Sequence, residues 1–263
     1  MNCLIETALL THGLRSIANE ELAQSWHCPD AILAWVDGGE LKLGPIGEYL
    51  PFRERSEELI RIDCDHLEEA LQTGASGALT ASGTMAVCRR LDIPMAITCG
   101  MGGIGDLRGE ELCPDLPALM NIPVALISPS PKDMLDRPAT LDWLRRHGVH
   151  TAGEPCTGYL FCGEPVALEL PLSSCNNEAA VRRLTANGGL LILNPIPEKE
   201  RVQDRSILVD AIKAGKQAEA EGGRQWGNRP ENRGLFLPHT VGKHPAELPS
   251  GQIYNGLSRR SQR

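Results

Sequence analysis

The sequence predicts a single α/β domain with three layers, α/β/α, built around a mainly parallel, mixed sheet. Two observations favour this fold class. Short apolar runs, such as residues 94–98 and 123–127, end abruptly in small or polar turn residues, as buried strands do. Segments of helical character, such as residues 140–147 and 178–185, alternate with these runs. Strands that alternate with helices along the whole chain indicate one layered domain.

The composition is typical of a folded globule that acts on a small molecule. The chain has 263 residues, of which 41% are hydrophobic, so it can bury a sizeable core. A net charge of −8 and only 4% aromatic residues argue against nucleic acid and an anionic membrane as partners. Nine scattered cysteines without a Cys-x-x-Cys pair, and no apolar run of about 20 residues, predict reduced thiols and a cytoplasmic protein.

The predicted elements follow in chain order. Strands are expected at residues 3–5, 31–36, 41–44, 59–62, 94–98, 123–127, 149–152 and 190–193. Helices are expected at residues 19–26, 67–72, 85–91, 140–147, 178–185 and 207–221. Residues 37–40, Asp-Gly-Gly-Glu, predict a tight turn and therefore a hairpin over residues 31–44.

The last part of the chain differs in charge and pattern. Residues 224–263 carry a net charge of +5, whereas residues 1–223 carry −13. Glycines and prolines without an apolar period predict a basic, poorly ordered or divergent tail. The predicted organisation is therefore a domain at residues 1–223 and a tail at residues 224–263.

Two ionisable side chains follow predicted strands, where α/β proteins place much of their chemistry. Glu6 comes directly after residues 3–5, and Lys132 lies just past residues 123–127. Glu6 is either a site acid or a charge at a helix N-terminus. Lys132 is either an amine nucleophile or a solvated lysine that opens the next helix. The residues alone leave both alternatives open.

Three further segments are candidate binding elements. Residues 74–84 are rich in small and hydroxyl side chains, which suit either an anion at the start of a helix or close helix packing. The glycine loop at residues 99–105 lacks the spacing of a dinucleotide or P-loop motif. Glu111 and Asp115 either share a divalent cation or form an acidic turn that caps the following helix.

Taken in order, these segments resemble the pseudouridine-5′-phosphate glycosidases, also called the indigoidine synthase A-like family. The resemblance covers about residues 2–222 and depends on the segments at residues 5–13, 31–44, 77–85, 98–103, 108–115, 132–148 and 193–197. It implies reversible cleavage of the bond between uracil C5 and ribose C1′, which gives uracil and ribose 5-phosphate. Because this carbon–carbon bond has no heteroatom leaving group, the reaction needs covalent help. The resemblance also implies a homotrimer.

The resemblance assigns the catalytic roles. Lys132 matches the lysine that attacks C1′ and carries the sugar as an imine. Glu6 matches the general acid, which protonates the ring oxygen or the departing base. Glu111 matches the acidic ligand of Mn²⁺, where it replaces an aspartate and keeps an oxygen donor.

The resemblance also assigns the substrate-binding positions, which fall on Arg61, Ala81, Cys113, Pro114 and Asp115. Arg61 replaces a lysine and can hold phosphate with two parallel hydrogen bonds. Residues 104–109 replace the family's Val-His-Arg-Gly, and Asp106 there would repel a phosphate. The tail does not match the family's base-recognition stretch. Two alternatives are therefore a non-catalytic member that binds a sugar phosphate or nucleotide, or serves as a structural subunit, and a different imine-forming enzyme such as an aldolase.

Overall fold

The computed structural model describes residues 3–105, 112–161 and 163–222. This part of the chain forms ten strands: β1 Cys3–Ile5, β2 Ile32–Asp37, β3 Glu40–Gly44, β4 Ile60–Ile62, β5 Gly77–Leu79, β6 Met95–Ile97, β7 Ala125–Ser128, β8 His150–Gly153, β9 Leu170–Pro171 and β10 Leu190–Leu193. It also forms eight α-helices: α1 Asn19–Ser25, α2 Ile46–Arg53, α3 Leu67–Thr73, α4 Ala81–Arg90, α5 Asp115–Asn121, α6 Arg137–Arg146, α7 Glu178–Thr185 and α8 Ser206–Gly222.

The strands form one mixed sheet that is mainly parallel, as predicted. Its order is β4-β5-β2-β1-β6-β7-β10-β8-β9, and β3 pairs with β2. Antiparallel pairing occurs where β2 meets β3 and β5. The β2–β3 pair is the predicted hairpin, and both turn glycines have the positive φ that its two-residue turn requires, 60° at Gly38 and 78° at Gly39.

Helices cover both faces of the sheet. Because neighbouring residues of a strand point to opposite faces, each face has its own apolar cluster. In β1, Leu4 packs in a cluster with Met85 and Leu116, whereas Ile5 packs in a second cluster with Tyr49. The first cluster contains residues of α3, α4, α5 and α6, and the second contains residues of α1, α2 and α7. The three layers predicted from the sequence are confirmed.

Several elements differ from the sequence prediction, among them α2, β5 and the start of α4. Helix α2 was not predicted, because Pro51 lies inside it. Strand β5 lies within the small-residue segment, where its pairing with β4 and β2 overrides weak strand propensity. Helix α4 begins at Ala81, four residues earlier than predicted, because the Thr80 hydroxyl accepts a hydrogen bond from the Gly83 N–H at 3.3 Å and caps the helix.

The eight described cysteines are all free thiols, as predicted. No helix in the described ranges combines the length and the apolar character that crossing a membrane requires. The predicted tail at residues 224–263 lies outside the described residues.

Candidate active site

The candidate site lies at the carboxyl ends of three neighbouring parallel strands. Ile5 of β1 is in register with Ile97 of β6, and Ile97 is in register with Ile127 of β7. Glu6 and Thr98 are the residues that follow β1 and β6, and the Glu6 N–H donates to the Ile97 carbonyl at 2.9 Å. Because strand ends in register meet at one edge of a sheet, these polar residues and the loop after β7 are brought together.

Glu6 is paired with Thr98 and surrounded by ionisable groups. The Thr98 hydroxyl donates a hydrogen bond to Glu6 Oε2. Burial raises the pKa of Glu6 to about 7, against the opposing influence of Lys132, the Thr98 hydroxyl and Arg61, while Asp115 raises the pKa further. A carboxyl group with this pKa can both give and take a proton near neutral pH, which is what general acid catalysis requires.

The loop that carries Lys132 is fixed on both sides. The Lys132 N–H donates to the Met101 carbonyl at 3.1 Å, and the Lys132 carbonyl accepts from the Leu135 N–H at 3.0 Å. The Asp136 carboxylate then accepts from the Ala139 N–H at 2.9 Å, which caps α6. The Lys132 backbone is therefore held between the glycine loop and the start of α6.

The Asp115 carboxylate connects α5, α4 and the glycine loop at the same edge of the sheet. One of its oxygens accepts from the Ser82 N–H at 3.0 Å, and the other accepts from the Gly102 N–H at 2.7 Å. A Cβ at Gly102 would overlap Cys113 Sγ and lie 3.0 Å from Asp115 Oδ2, so this position needs glycine. Burial raises the pKa of Cys113 to about 12, and the Lys132 charge opposes the rise. Cys113 is therefore a neutral thiol close to Lys132.

A second basic group reaches the site from β4. Arg61 lies on this strand, and its charge helps to lower the pKa of His12 to about 4, although burial of His12 is the larger cause. His12 lies in a π-helical turn, Leu9–Gly13, that follows Glu6. Its Nε2 atom is buried and has no hydrogen-bond partner among the described residues. His12 is therefore a neutral imidazole, and π-helical turns are frequent at functional sites.

The structure brings most of the predicted site residues to one edge of the sheet. Five of them are coupled electrostatically or through a shared contact: Glu6, Arg61, Cys113, Asp115 and Lys132. Ala81 is the first residue of α4, next to the Ser82 amide that binds Asp115, and Pro114 directly precedes α5. Glu111 and Asp106 lie outside the described residues.

Sequence reasoning missed three residues that shape this site. Thr98 could have been found, because it is a polar residue at the end of an apolar strand, as Glu6 is. Tyr159 and Asp133 carry no comparable local signal. The Tyr159 ring lies against Gly100, and Asp133 binds the Leu160 N–H at 2.9 Å, so both act over long separations in sequence.

The described residues contain no group of three or more His, Cys, Asp or Glu side chains that could hold a metal ion. Both Asp115 oxygens already accept backbone N–H groups. Since Glu111 lies outside the described residues, Mn²⁺ binding stays a prediction.

The family of the chain follows from its sequence. A family model described as indigoidine synthase A like protein matches residues 4–228, which is most of the chain. The chain belongs to this family. The indigoidine synthase A like match includes every element of the candidate site, from Glu6 to the loop after β7.

Curated relatives of this indigoidine synthase A like chain are named pseudouridine-5′-phosphate glycosidase. The protein from Methylobacterium nodulans is 30% identical over 236 residues, which cover 83% of this chain and 69% of the relative. The protein from Caldanaerobacter subterraneus subsp. tengcongensis is 30% identical over 226 residues, which cover 79% of this chain and 72% of the relative.

Two solved structures have a similar fold. The prealnumycin C-glycosynthase AlnA, crystallised in complex with ribulose 5-phosphate, matches with a TM-score of 0.77 at 22% identity and covers 98% of this chain and 89% of AlnA. An indigoidine synthase A like protein from Thermotoga maritima matches with a TM-score of 0.67 at 19% identity, covering 98% and 92% of the two chains. At these identities the similarity establishes the fold.

Proposed function

We propose that this chain catalyses the reversible cleavage of pseudouridine 5′-phosphate to uracil and ribose 5-phosphate, with Lys132 as nucleophile and Glu6 as general acid. The observation that carries the proposal is the convergence of Lys132 and Glu6 at one strand edge, where Glu6 has a pKa of about 7. The names of the curated relatives support the same substrate.

The first step opens the ribose ring. Lys132 first passes a proton to the Glu6 carboxylate, and its neutral amine then attacks C1′, so a carbon–nitrogen bond forms while the bond between C1′ and the ring oxygen breaks. Glu6 delivers its proton to the departing ring oxygen, which becomes a hydroxyl group. The attacking nitrogen loses a proton, for which the Glu6 carboxylate is the nearby acceptor.

The second step releases the base. The nitrogen lone pair forms a carbon–nitrogen double bond to C1′, and the bond between C1′ and uracil C5 breaks. Uracil C5 takes a proton from reprotonated Glu6, so uracil leaves as a neutral molecule. Water then hydrolyses the imine, which frees the Lys132 amine and the aldehyde form of ribose 5-phosphate. The overall reaction consumes one water, and the reverse reaction releases it.

Binding of the sugar phosphate is assigned to groups around this centre. Arg61 supplies a guanidinium that pairs well with phosphate oxygens. The backbone at Ala81, the segment from Cys113 to Asp115, and a divalent cation at Glu111 complete the proposed contacts. A homotrimer is the proposed assembly.

The direct test is uracil release. Purified protein is incubated with pseudouridine 5′-phosphate and Mn²⁺, and uracil is followed by chromatography. The wild type and Lys199→Ala, which removes a lysine that is 82% exposed, should release uracil. Lys132→Ala should lose at least about a thousandfold in rate.

The same experiment separates the alternatives. If the wild type releases no uracil but binds pyrimidine nucleotides in calorimetry, the chain is a non-catalytic member of its family. If it instead yields retro-aldol products from ketose phosphates, it is an imine-forming enzyme of another type. Uracil release that survives in Lys132→Ala would contradict the assigned nucleophile.

A further inference from the structure

Asp133, which directly follows the proposed nucleophile in the sequence, has a buried carboxylate. The Asp133 side chain is 4% exposed, and its Oδ1 atom lies 3.2 Å from Arg137 Nη1. Its Oδ2 atom accepts the Leu160 N–H at 2.9 Å, and the Phe161 amide also donates to this carboxylate. A buried charge is costly unless it is paired and hydrogen-bonded, so this set of partners fixes both Asp133 and the segment it binds.

The segment held by Asp133, residues 159–161, lies between α8 and the candidate site. Leu160 and Phe161 pack with Val202 and with Ile207 of α8. The Leu160 carbonyl accepts from the Val202 N–H at 2.6 Å. Apolar packing against α8 therefore holds the segment on one side, and the hydrogen bonds to Asp133 hold it on the other.

Tyr159 points from this segment onto the strand end that supports Glu6. A Cβ at Gly100 would lie 2.9 Å from Tyr159 Cε2 and 3.1 Å from Cζ, so the ring occupies the space of the missing side chain. The Gly100 N–H donates to Thr98 Oγ1 at 3.2 Å, and the Thr98 hydroxyl donates to Glu6. With 5% of its surface exposed, Tyr159 forms a buried cover beside the Glu6–Thr98 pair.

We propose that Asp133 is a positioning residue that holds residues 159–161 in place, so that the Tyr159 ring covers the Glu6–Thr98 pair and keeps water away from the Glu6 carboxyl group. This inference rests on the proposed function of Glu6. It links the nucleophile loop to the general acid, because Asp133 is joined to Lys132 by one peptide bond.

Several titratable and charged groups lie around the Glu6 carboxyl group. The titratable and charged groups that face Glu6 are Lys132, Asp115, Arg61, Tyr49 and Tyr159. Tyr159 itself faces Cys99, Glu6 and Asp133, and burial is the largest cause that raises its pKa. Burial is also the largest cause that raises the pKa of Glu6. Loss of the Tyr159 ring should therefore lower the pKa of Glu6.

The test measures the pKa of Glu6 in full-length protein by ¹³C NMR with labelled glutamate, assigned through Glu6→Gln. Tyr159→Ala and Asp133→Ala should lower this pKa by about one unit or more because water enters. Tyr159→Phe keeps the ring and should stay within about 0.3 units. Asp142→Ala, which removes an exposed ion pair on α6, is the matched control and should also leave it unchanged.

Hydrogen exchange of peptides covering residues 159–161 gives the second readout. Asp133→Ala should speed exchange there at least about tenfold, and the milder Asp133→Asn at least about threefold, with Asp142→Ala unchanged. Asp133→Asn keeps the side-chain size and carries the test if Asp133→Ala does not fold.

Either of two results would overturn the proposal: an unchanged Glu6 pKa in folded Tyr159→Ala, or unchanged exchange at residues 159–161 in Asp133→Asn. Neither readout needs turnover. Failure here is therefore distinguishable from failure of the uracil-release assay.

Discussion

Removing the Thr98 hydroxyl should raise the pKa of Glu6. In Thr98→Val the shape of a side chain that is 1% exposed is kept, but the donor to Glu6 is lost. A hydrogen bond to a charged group contributes about 1.5–3 kcal/mol, and one pKa unit corresponds to about 1.4 kcal/mol. At the lower end of this range, the pKa of Glu6 should rise from about 7 by roughly one unit.

The assay is the ¹³C NMR titration of Glu6, combined with the pH dependence of kcat/KM. If protonated Glu6 is the acid, the alkaline limb of the profile should move to higher pH by the same amount. Thr185→Val removes a buried threonine hydroxyl in α7 and serves as the control, with no expected shift. A Glu6 pKa that stays within about 0.3 units or falls in Thr98→Val would refute the reasoning.

Three more predictions concern stability, each measured by denaturant unfolding. The raised pKa of Glu6 implies a stability contribution that is present below pH 4.5 and lost as the pH rises through about 7. Glu6→Gln should therefore be more stable than the wild type by about 2 kcal/mol at pH 8. An equal difference in stability at acid pH would contradict this reasoning. Gly102→Ala should cost at least about 1 kcal/mol because its Cβ overlaps Cys113 Sγ, and unchanged stability would show that the loop can move aside. Arg53→Met should lower the free energy of unfolding by about 3 kcal/mol because buried carbonyl oxygens lose their donor, among them that of Leu10 at 2.7 Å from Arg53 Nε. The control Arg55→Met, at a more exposed arginine, should lower it by less than about 1 kcal/mol.

Much of the fold was predictable because its signals are local. Apolar runs that end in polar residues correctly indicated β1, β6 and β7, and therefore the edge at which Glu6 and Lys132 meet. The β2–β3 hairpin was equally accessible, since Gly38 and Gly39 supply the required turn conformation. Each of these features depends on residues that are close in sequence.

The elements that were missed depend on tertiary contacts. Strand β5 consists of Gly-Ala-Leu, whose weak propensity is overridden by pairing with two other strands. Asp133 binds Leu160 across 27 positions, and no periodicity or motif in the sequence predicts that contact. The Tyr159 cover likewise becomes visible only when its ring is placed against Gly100.

The most direct test of the central claim is trapping of the covalent intermediate. The protein is incubated with ribose 5-phosphate and borohydride, and its peptides are analysed by mass spectrometry. The imine between the Lys132 amine and C1′ should be reduced to a stable secondary amine, which gives a sugar phosphate adduct on Lys132 and none in Lys132→Ala. No adduct across several pH values with Mn²⁺ present, or an adduct confined to other lysines, would contradict the assignment of Lys132 as the nucleophile.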